Sequence, residues 1–457
     1  MRYPYNILAL IILALLFRLL FTQMYIIPGE LPHDFYAYTD GANLFLSGKS
    51  FYSEPISNGA YFFYGPMFGI SIGMWSALFG VDYALLKMLF ILMDVVTILL
   101  VYLFSREINR KYAFHITAIY AFSFFPLINA MIGNDDIFFI FFLLLSMMSA
   151  IKKNPLLSSG FFSISMGFKV LALFAFIPLL IFFLRHSKKQ AINFTFFSAV
   201  FFIIILIPFF MQTQNVMYPY IGKDTNVGYN SLLYAVQMPI QVYEYYTGKT
   251  AVMLSIDSTT AILFNKIGTV VSVFGFIASI FFFWKYPIND RKKELARNTL
   301  IGILLMLLFL KAMPTLYLTD IFPFILIYVA LYNFEIPCNK KLIIGLGFMS
   351  VAILFYGMFY SWSSNISLVA KISLLIVPVL VMIGTYLTLP KNLNVPMALL
   401  VFVVASGETI HARVYQLFFP NISHFWNEAI YLIYYEIITI TLLLSIVYLI
   451  YKIKKNE

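Results

Sequence analysis

Residues 191–211 read AINFTFFSAVFFIIILIPFFM, twenty-one positions without a charged side chain. A bilayer core is crossed by about 20 apolar residues of helix, so a run of this kind is a membrane span. Comparable runs recur along the whole chain. Only 11% of its 457 residues are charged and 62% are hydrophobic. A soluble domain carries about 25% charged residues and uses them to cover its surface. Here that surface cannot be made, and an all-α polytopic membrane protein is the expected fold class. The apolar run at 6–27 lacks a small-residue cleavage site and carries Arg18, so it reads as a retained first span rather than a signal peptide. The single cysteine, Cys338, excludes a disulfide framework and a cysteine metal site.

Hydropathy and helix breakers place spans near 6–27, 84–104, 113–132, 137–151, 156–169, 170–184, 191–211, 259–284, 298–312, 316–333, 342–361, 371–388, 395–407 and 429–450. The 156–184 stretch reads as a hairpin, and a single kinked helix also fits it. Residues 66–80 are apolar enough to span. Counting them would put the basic loop SREINRK (105–111) outside, so they are placed as a helix lying on or re-entering the outer surface. With that layout twenty of the thirty Lys and Arg face the cytoplasm, five face outward and five lie within spans. This is the asymmetry of the positive-inside rule, with both termini cytoplasmic. It also answers the net charge of +10 without invoking nucleic acid.

The long loops then fall on the extracytoplasmic face: 28–68, 212–258 and 408–428. The expected organisation is an N-terminal catalytic membrane module at 1–211, including an outer loop at 28–83, then an outer loop at 212–258. A C-terminal membrane module at 259–457 follows. An outward-facing enzyme needs bulk on one side only. A lipid or glycan transporter or flippase, the alternative of another class, needs comparable access from both sides, and no inverted repeat is visible.

The stretch 31–68 is the first long segment that is not simply apolar. Phe35, Tyr38, Ala42, Phe45 and Leu46 share one helical face, and Tyr36, Asp40, Asn43 and Ser47 share another. The spacing predicts a short helix in the interface plane, with Asp34 at its N-cap and Gly48 ending it. Tyr36, Tyr38, Tyr52, Tyr61 and Tyr64 are expected at interface depth. From the residues alone Asp34 is a helix cap or a catalytic carboxylate, and Asp40 a solvated polar residue or a site residue.

Taken in order, several segments carry a family resemblance: Asp34; YTDGANLFLSG with Asp40; GKSFY (48–52); YGPMF (64–68); KMLFILMDVVTILLVY (87–102); GNDDIF (133–138); GFKVLALFAFIPLL (167–180); and KAMPTLYLTDIFPFIL (311–326). The chain resembles GT-C type, polyprenyl-phosphate-sugar-dependent glycosyltransferases. It is most similar to the catalytic subunit of GPI mannosyltransferase I and to related bacterial and archaeal polyprenol-phosphate-mannose-dependent mannosyltransferases. Pro32 stands where that family has a first Asp, and Gly65-Pro66 replaces its Pro-Pro step.

The resemblance implies a GT-C-like bundle of about 12–14 transmembrane helices whose first outer loop bears interfacial helices. It implies an inverting transfer of a hexose, mannose favoured, from a polyprenyl or dolichyl phosphate to a lipid-linked or glycan acceptor at the outer face. Asp34 is then the general base, with Asp40 beside it. The reaction also wants cations for the departing phosphate. Arg18, Lys87, Lys169, Lys266 and Lys311 lie inside apolar segments, where charge is costly and each is a functional candidate. Of these, Lys169, Lys311 and Arg18 are the expected phosphate contacts. The plain alternative is ion pairing: Lys169 with Asp136, Lys87 with Asp94, Lys311 with Asp320. Asp135, Asp136, Tyr64, Asn230, Ser231, Tyr317 and His411 are the expected substrate contacts. No cofactor is required, and a divalent cation is an option. The expected partners are the lipid-phosphate donor, the acceptor and the bilayer.

Overall fold

The computed structural model describes residues 3–24, 33–57, 61–217, 232–250, 258–309, 321–332, 334–337, 339–359, 368–411 and 424–455. Side chains at several helix ends, those of Asp34 and His411 among them, lie outside the described residues. Every regular element described is helical. In order these are α1 (Tyr3–Met24), α2 (His33–Leu46), α3 (Pro66–Phe79), α4 (Tyr83–Ile108), α5 (Ala113–Phe122), α6 (Phe124–Ile132) and α7 (Asp136–Ile151). Then come α8 (Pro155–Phe168), a 3-10 turn (Val170–Ala175), α9 (Phe176–His186), α10 (Lys188–Phe210), a second 3-10 turn (Gln214–Met217), α11 (Leu232–Tyr246), α12 (Ser258–Lys285) and α13 (Arg291–Phe309). The last five are α14 (Ile321–Leu331), α15 (Asn339–Phe359), α16 (Leu368–Thr388), α17 (Lys391–His411) and α18 (His424–Lys455).

The helix starts follow ordinary capping chemistry. Asp82 accepts from the Ala84 and Leu85 amides at 2.9 and 3.3 Å and opens α4. Asn154 accepts from the Leu157 amide at 3.0 Å and Pro155 takes the first helical position of α8, while Ser187 accepts from the Gln190 amide and opens α10. Among the described residues four helices are long and apolar enough to cross a membrane alone: Tyr83–Ile108, Lys188–Phe210, Thr259–Lys285 and Ile437–Lys455.

Two expected spans have a different form. The run 113–132 is broken at Ser123 and bent by 55° between α5 and α6. Pro126 explains the break, because its ring would strike the carbonyl four residues earlier, at Phe122, in a continuous helix. The 156–184 stretch is helix, 3-10 turn, helix. Lys169 is extended, with φ −151° and ψ 132°, and stops α8. Phe162, seven residues before it, and Phe176, seven after it, have ring centroids 5.8 Å apart, and both pack on Phe194 of α10. The chain therefore turns back on itself with Lys169 near the vertex.

The basic segments gather at one end of the bundle. Arg185 pairs with Glu294 at 2.8 Å, the Ile288 amide donates to the same carboxylate, and Arg297 donates to the Tyr286 carbonyl. The ring of Tyr286 in turn takes Lys454 at 4.2 Å. Asn109, which follows the last residue of α4, reaches the Ala330 carbonyl at 3.4 Å at the end of α14. Elsewhere α7, α8 and α10 pack side by side, and α15, α16, α17 and α18 form a consecutive row. The expected loop 212–258 contains a helix: α11 lies against α18 and buries Gln237, Gln241 and Glu244.

Candidate active site

The site begins with α2 and the aromatic residues beneath it. The helix starts at His33, so Asp34 is in its first turn rather than at the cap. It ends as expected: Lys49 N donates to Leu44 O, Gly48 N donates to Phe45 O, and Gly48 holds φ +72°. That is a Schellman close, which wants a residue without a Cβ at the left-handed position. Phe35, Tyr38 and Ala42 are fully buried, Tyr36, Asn43 and Ser47 are exposed, and Leu46 departs from the expected stripe by facing out.

The tyrosines placed at interface depth divide. Tyr36 is exposed, but Tyr38, Tyr52 and Tyr64 are buried. They belong to a core of rings rather than to a lipid-facing belt. Tyr38 packs on Phe68 at 4.9 Å and on Phe90 at 5.4 Å; Phe68 meets Phe138 at 5.6 Å; Phe138 stacks on Phe168 at 5.2 Å. This chain of rings leads from α2 through α3, α4 and α7 to the residue before Lys169. The Tyr52 hydroxyl donates to the Tyr64 carbonyl at 2.7 Å, and Asn215 donates to the Tyr52 carbonyl at 3.1 Å. Tyr64, an expected substrate contact, thus has its ring packed among Tyr38, Phe62 and Phe68.

Two close backbone approaches bring the polar residues to that slab. Gly133 sits at φ +79° and ψ 48°, and a Cβ there would fall 2.5 Å from the ring tip of Phe35. The turn between α6 and α7 is therefore pressed onto the first turn of α2, where Asp34 lies. Gly65 abuts the carbonyls of Gly167 and Phe168, which sets the Tyr64–Pro66 step against the vertex that carries Lys169.

Asn134, Asp135, Asp136 and Lys169 form the polar cluster. Lys169 Nζ contacts Asp136 Oδ1 directly and lies 3.5 Å from Asp135 Oδ1. Asn134 donates to Asp136 Oδ2 at 2.9 Å and accepts from the Asp136 amide, which fixes that carboxylate. Asp136 is fully buried, while Lys169 retains 17% exposure and Asp135 8%, so the cluster opens on the Lys169–Asp135 side. A lysine facing two acids is an ammonium whose charge is overmatched. It holds an anion well only if that anion displaces one of them. Asn134, uncharged and so inconspicuous in the sequence, stands between Gly133 and the two acids and orients one of them.

The other expected residues fall apart from this cluster. Arg18 is fully buried in α1 and pairs with Asp94 of α4. Its Nη1 donates to the carbonyls of Ala14 at 3.1 Å and Ala121 at 3.0 Å, and the Tyr120 hydroxyl donates to Asp94 at 3.3 Å. This corrects two expectations. Arg18 holds α1, α4 and α5 together rather than standing where a phosphate can reach it. Asp94 takes Arg18, not Lys87, because seven residues of helix put Lys87 about 10 Å away along the axis. Lys87 is buried over the ring of Tyr83, which packs on Phe35. Asp40 accepts from the amide and hydroxyl of Ser57 at 2.9 and 2.6 Å, so it ties the following loop back onto α2. Lys311, Tyr317, Asn230 and Ser231 lie outside the described residues, as do the side chains of Asp34 and His411. Among the described residues no three His, Cys, Asp or Glu side chains converge to hold a metal.

The family model of glycosyltransferase family 87 matches residues 62–310, more than half of the chain. The chain belongs to glycosyltransferase family 87. The matched region contains the Gly65 step, Asp94, the 133–136 turn and Lys169, and begins after Asp34 and Asp40. No curated protein sequence matches this family 87 chain. In fold it is similar to ArnT from Cupriavidus metallidurans, solved in the apo state and bound to undecaprenyl phosphate. The TM-scores are 0.53 and 0.52, at 12% identity, covering 96% of this chain and 76% of ArnT. The protein is a multi-pass membrane glycosyltransferase of all-α fold.

Proposed function

We propose that this family 87 enzyme transfers a hexose, mannose favoured, from a polyprenyl or dolichyl phosphate to a lipid-linked or glycan acceptor, with inversion, at the extracytoplasmic face. The observation that carries this reading is the meeting of three segments. The vertex with Lys169 meets the 133–136 turn through the lysine's contacts with the two acids, and that turn lies against the start of α2, where Asp34 sits. A lipid-phosphate donor also agrees with the occupant of ArnT, crystallised with undecaprenyl phosphate.

In the proposed reaction an acceptor hydroxyl attacks the anomeric carbon and its proton passes to the Asp34 carboxylate. The bond from the anomeric carbon to the phosphate oxygen breaks, and its electron pair leaves with the polyprenyl phosphate. Lys169 meets that phosphate, releasing Asp135 or Asp136 as it does so. The aromatic slab keeps water from the reacting carbon while Asp34 takes the proton as general base. Twenty basic residues grouped against five support cytoplasmic termini and an outward site.

The test is Asp34→Asn in purified enzyme reconstituted in lipid and supplied with a panel of polyprenyl-phosphate sugars. Loss of a general base lowers turnover by about 10²–10⁴-fold. A folded, inserted variant with full transfer removes Asp34 from the mechanism. A preference for a sugar other than mannose corrects the donor. Flux of a lipid-linked sugar across vesicles with no glycosidic bond formed favours a transporter instead.

A further inference from the structure

A cavity of about 570 Å³ opens between the α14–α15 connection and the α16–α17 connection. Phe334 on its wall stacks on Tyr332, whose ring takes Lys293 at 5.4 Å. The cavity therefore lies at the basic end of the bundle, away from the Lys169 cluster. Its volume is within the roughly 300–1,000 Å³ of small-ligand sites. The polar lining is Lys341, Lys391, Asn392, Asn394, Tyr386 and Glu335. Two ammonium groups face one carboxylate, so the lining is net cationic. Asn394 is buried and spends its amide N–H on the Tyr386 carbonyl at 3.4 Å.

The surroundings select the kind of anion. One turn beyond the cavity, α15 exposes Ile343 and Ile344, and α17 exposes Val395 and Leu399. A ligand seated here meets charge at one end and open aliphatic surface at the other. A free anion uses only the first of these. We infer that this cavity binds the headgroup of an anionic phospholipid, with its phosphate between Lys341 and Lys391 and its acyl chains along the exposed faces of α15 and α17. Glu335 at the rim can accept from the hydroxyls of a glycerol headgroup. Basic pockets between helices at the positive end of membrane proteins take lipid headgroups in this manner.

The experiment is native mass spectrometry of the full-length protein in detergent, titrated with phosphatidylglycerol, phosphatidylcholine or inorganic phosphate. Wild type and Lys152→Gln, a basic-end lysine outside the cavity, retain phosphatidylglycerol in preference to phosphatidylcholine. The double variant Lys341→Gln/Lys391→Gln binds phosphatidylglycerol roughly twenty-five-fold more weakly, since each lysine near a lipid anion contributes about fivefold. A melting curve checks that the double variant is folded. If it melts early, each single variant carries the test with about a fivefold loss. Unchanged retention by the folded double variant overturns the proposal. So does equal retention of phosphatidylcholine, or displacement of phosphatidylglycerol by millimolar inorganic phosphate, which would make the site one for a free anion.

Discussion

Asp94→Leu is expected to be among the most damaging single substitutions in the α1–α4–α5 core. Arg18 is fully buried, and its pairing with Asp94 is its one charge–charge contact among the described ion pairs. Without the carboxylate, the guanidinium keeps only the carbonyls of Ala14 and Ala121 and is left buried without its counter-ion. Breaking a buried pair from one side costs about 3–5 kcal/mol. Arg18→Met should cost a similar amount, because Asp94 is then left with the Tyr120 hydroxyl alone. The double variant Arg18→Met/Asp94→Leu removes both charges and fills the space with aliphatic atoms. It should unfold within about 1–2 kcal/mol of the wild type, so the two losses should be far from additive. The assay is equilibrium unfolding of the three variants in mixed micelles, analysed as a double-mutant cycle. An additive result, with the double variant the least stable, refutes the pairing argument. The same protein tests function: a stable double variant that transfers no sugar would return Arg18 to the donor site.

Three further outcomes follow from the site geometry. Lys169→Met should reduce transfer by roughly tenfold or more and lower stability, since Asp135 and Asp136 lose the ammonium they share; Lys169→Arg should recover stability more than rate, as read by melting and by initial velocities. Gly133→Ala places a Cβ against Phe35 at a positive φ and should cost about 1–3 kcal/mol, measured by thermal melting, with a parallel fall in activity as α2 shifts. Gly65→Ala meets backbone carbonyls of Gly167 and Phe168 that cannot rotate away, so the yield of folded protein on size-exclusion chromatography should drop sharply.

Much of this architecture follows from residue order alone. Low charge forces apolar helices into a bilayer, and caps such as Asp82, Asn154 and Gly48 mark boundaries through hydrogen bonds that reach only a few residues. The α2 stripe was readable because a helix repeats every 3.6 residues, and the basic segments were readable because lysine and arginine do not cross apolar layers. The candidate cluster was partly readable too: Lys169 and Asp136 stand out as charges in apolar runs, and ion pairing between them was one of the two expectations. What periodicity cannot supply is distance between segments. Arg18 and Lys87 are equally buried cations, and only the packing of α1 against α4 gives Asp94 to the first. Asp40 and Asp136 are both loop-proximal acids, yet one holds Ser57 and the other meets Lys169. Tyr64 looked like an interface residue until the rings of α2, α3 and α4 closed around it. Partner choice among charges is decided by a few ångströms, and those ångströms come from packing between residues far apart in the chain, as at Gly65 and Gly133 around the Lys169 cluster.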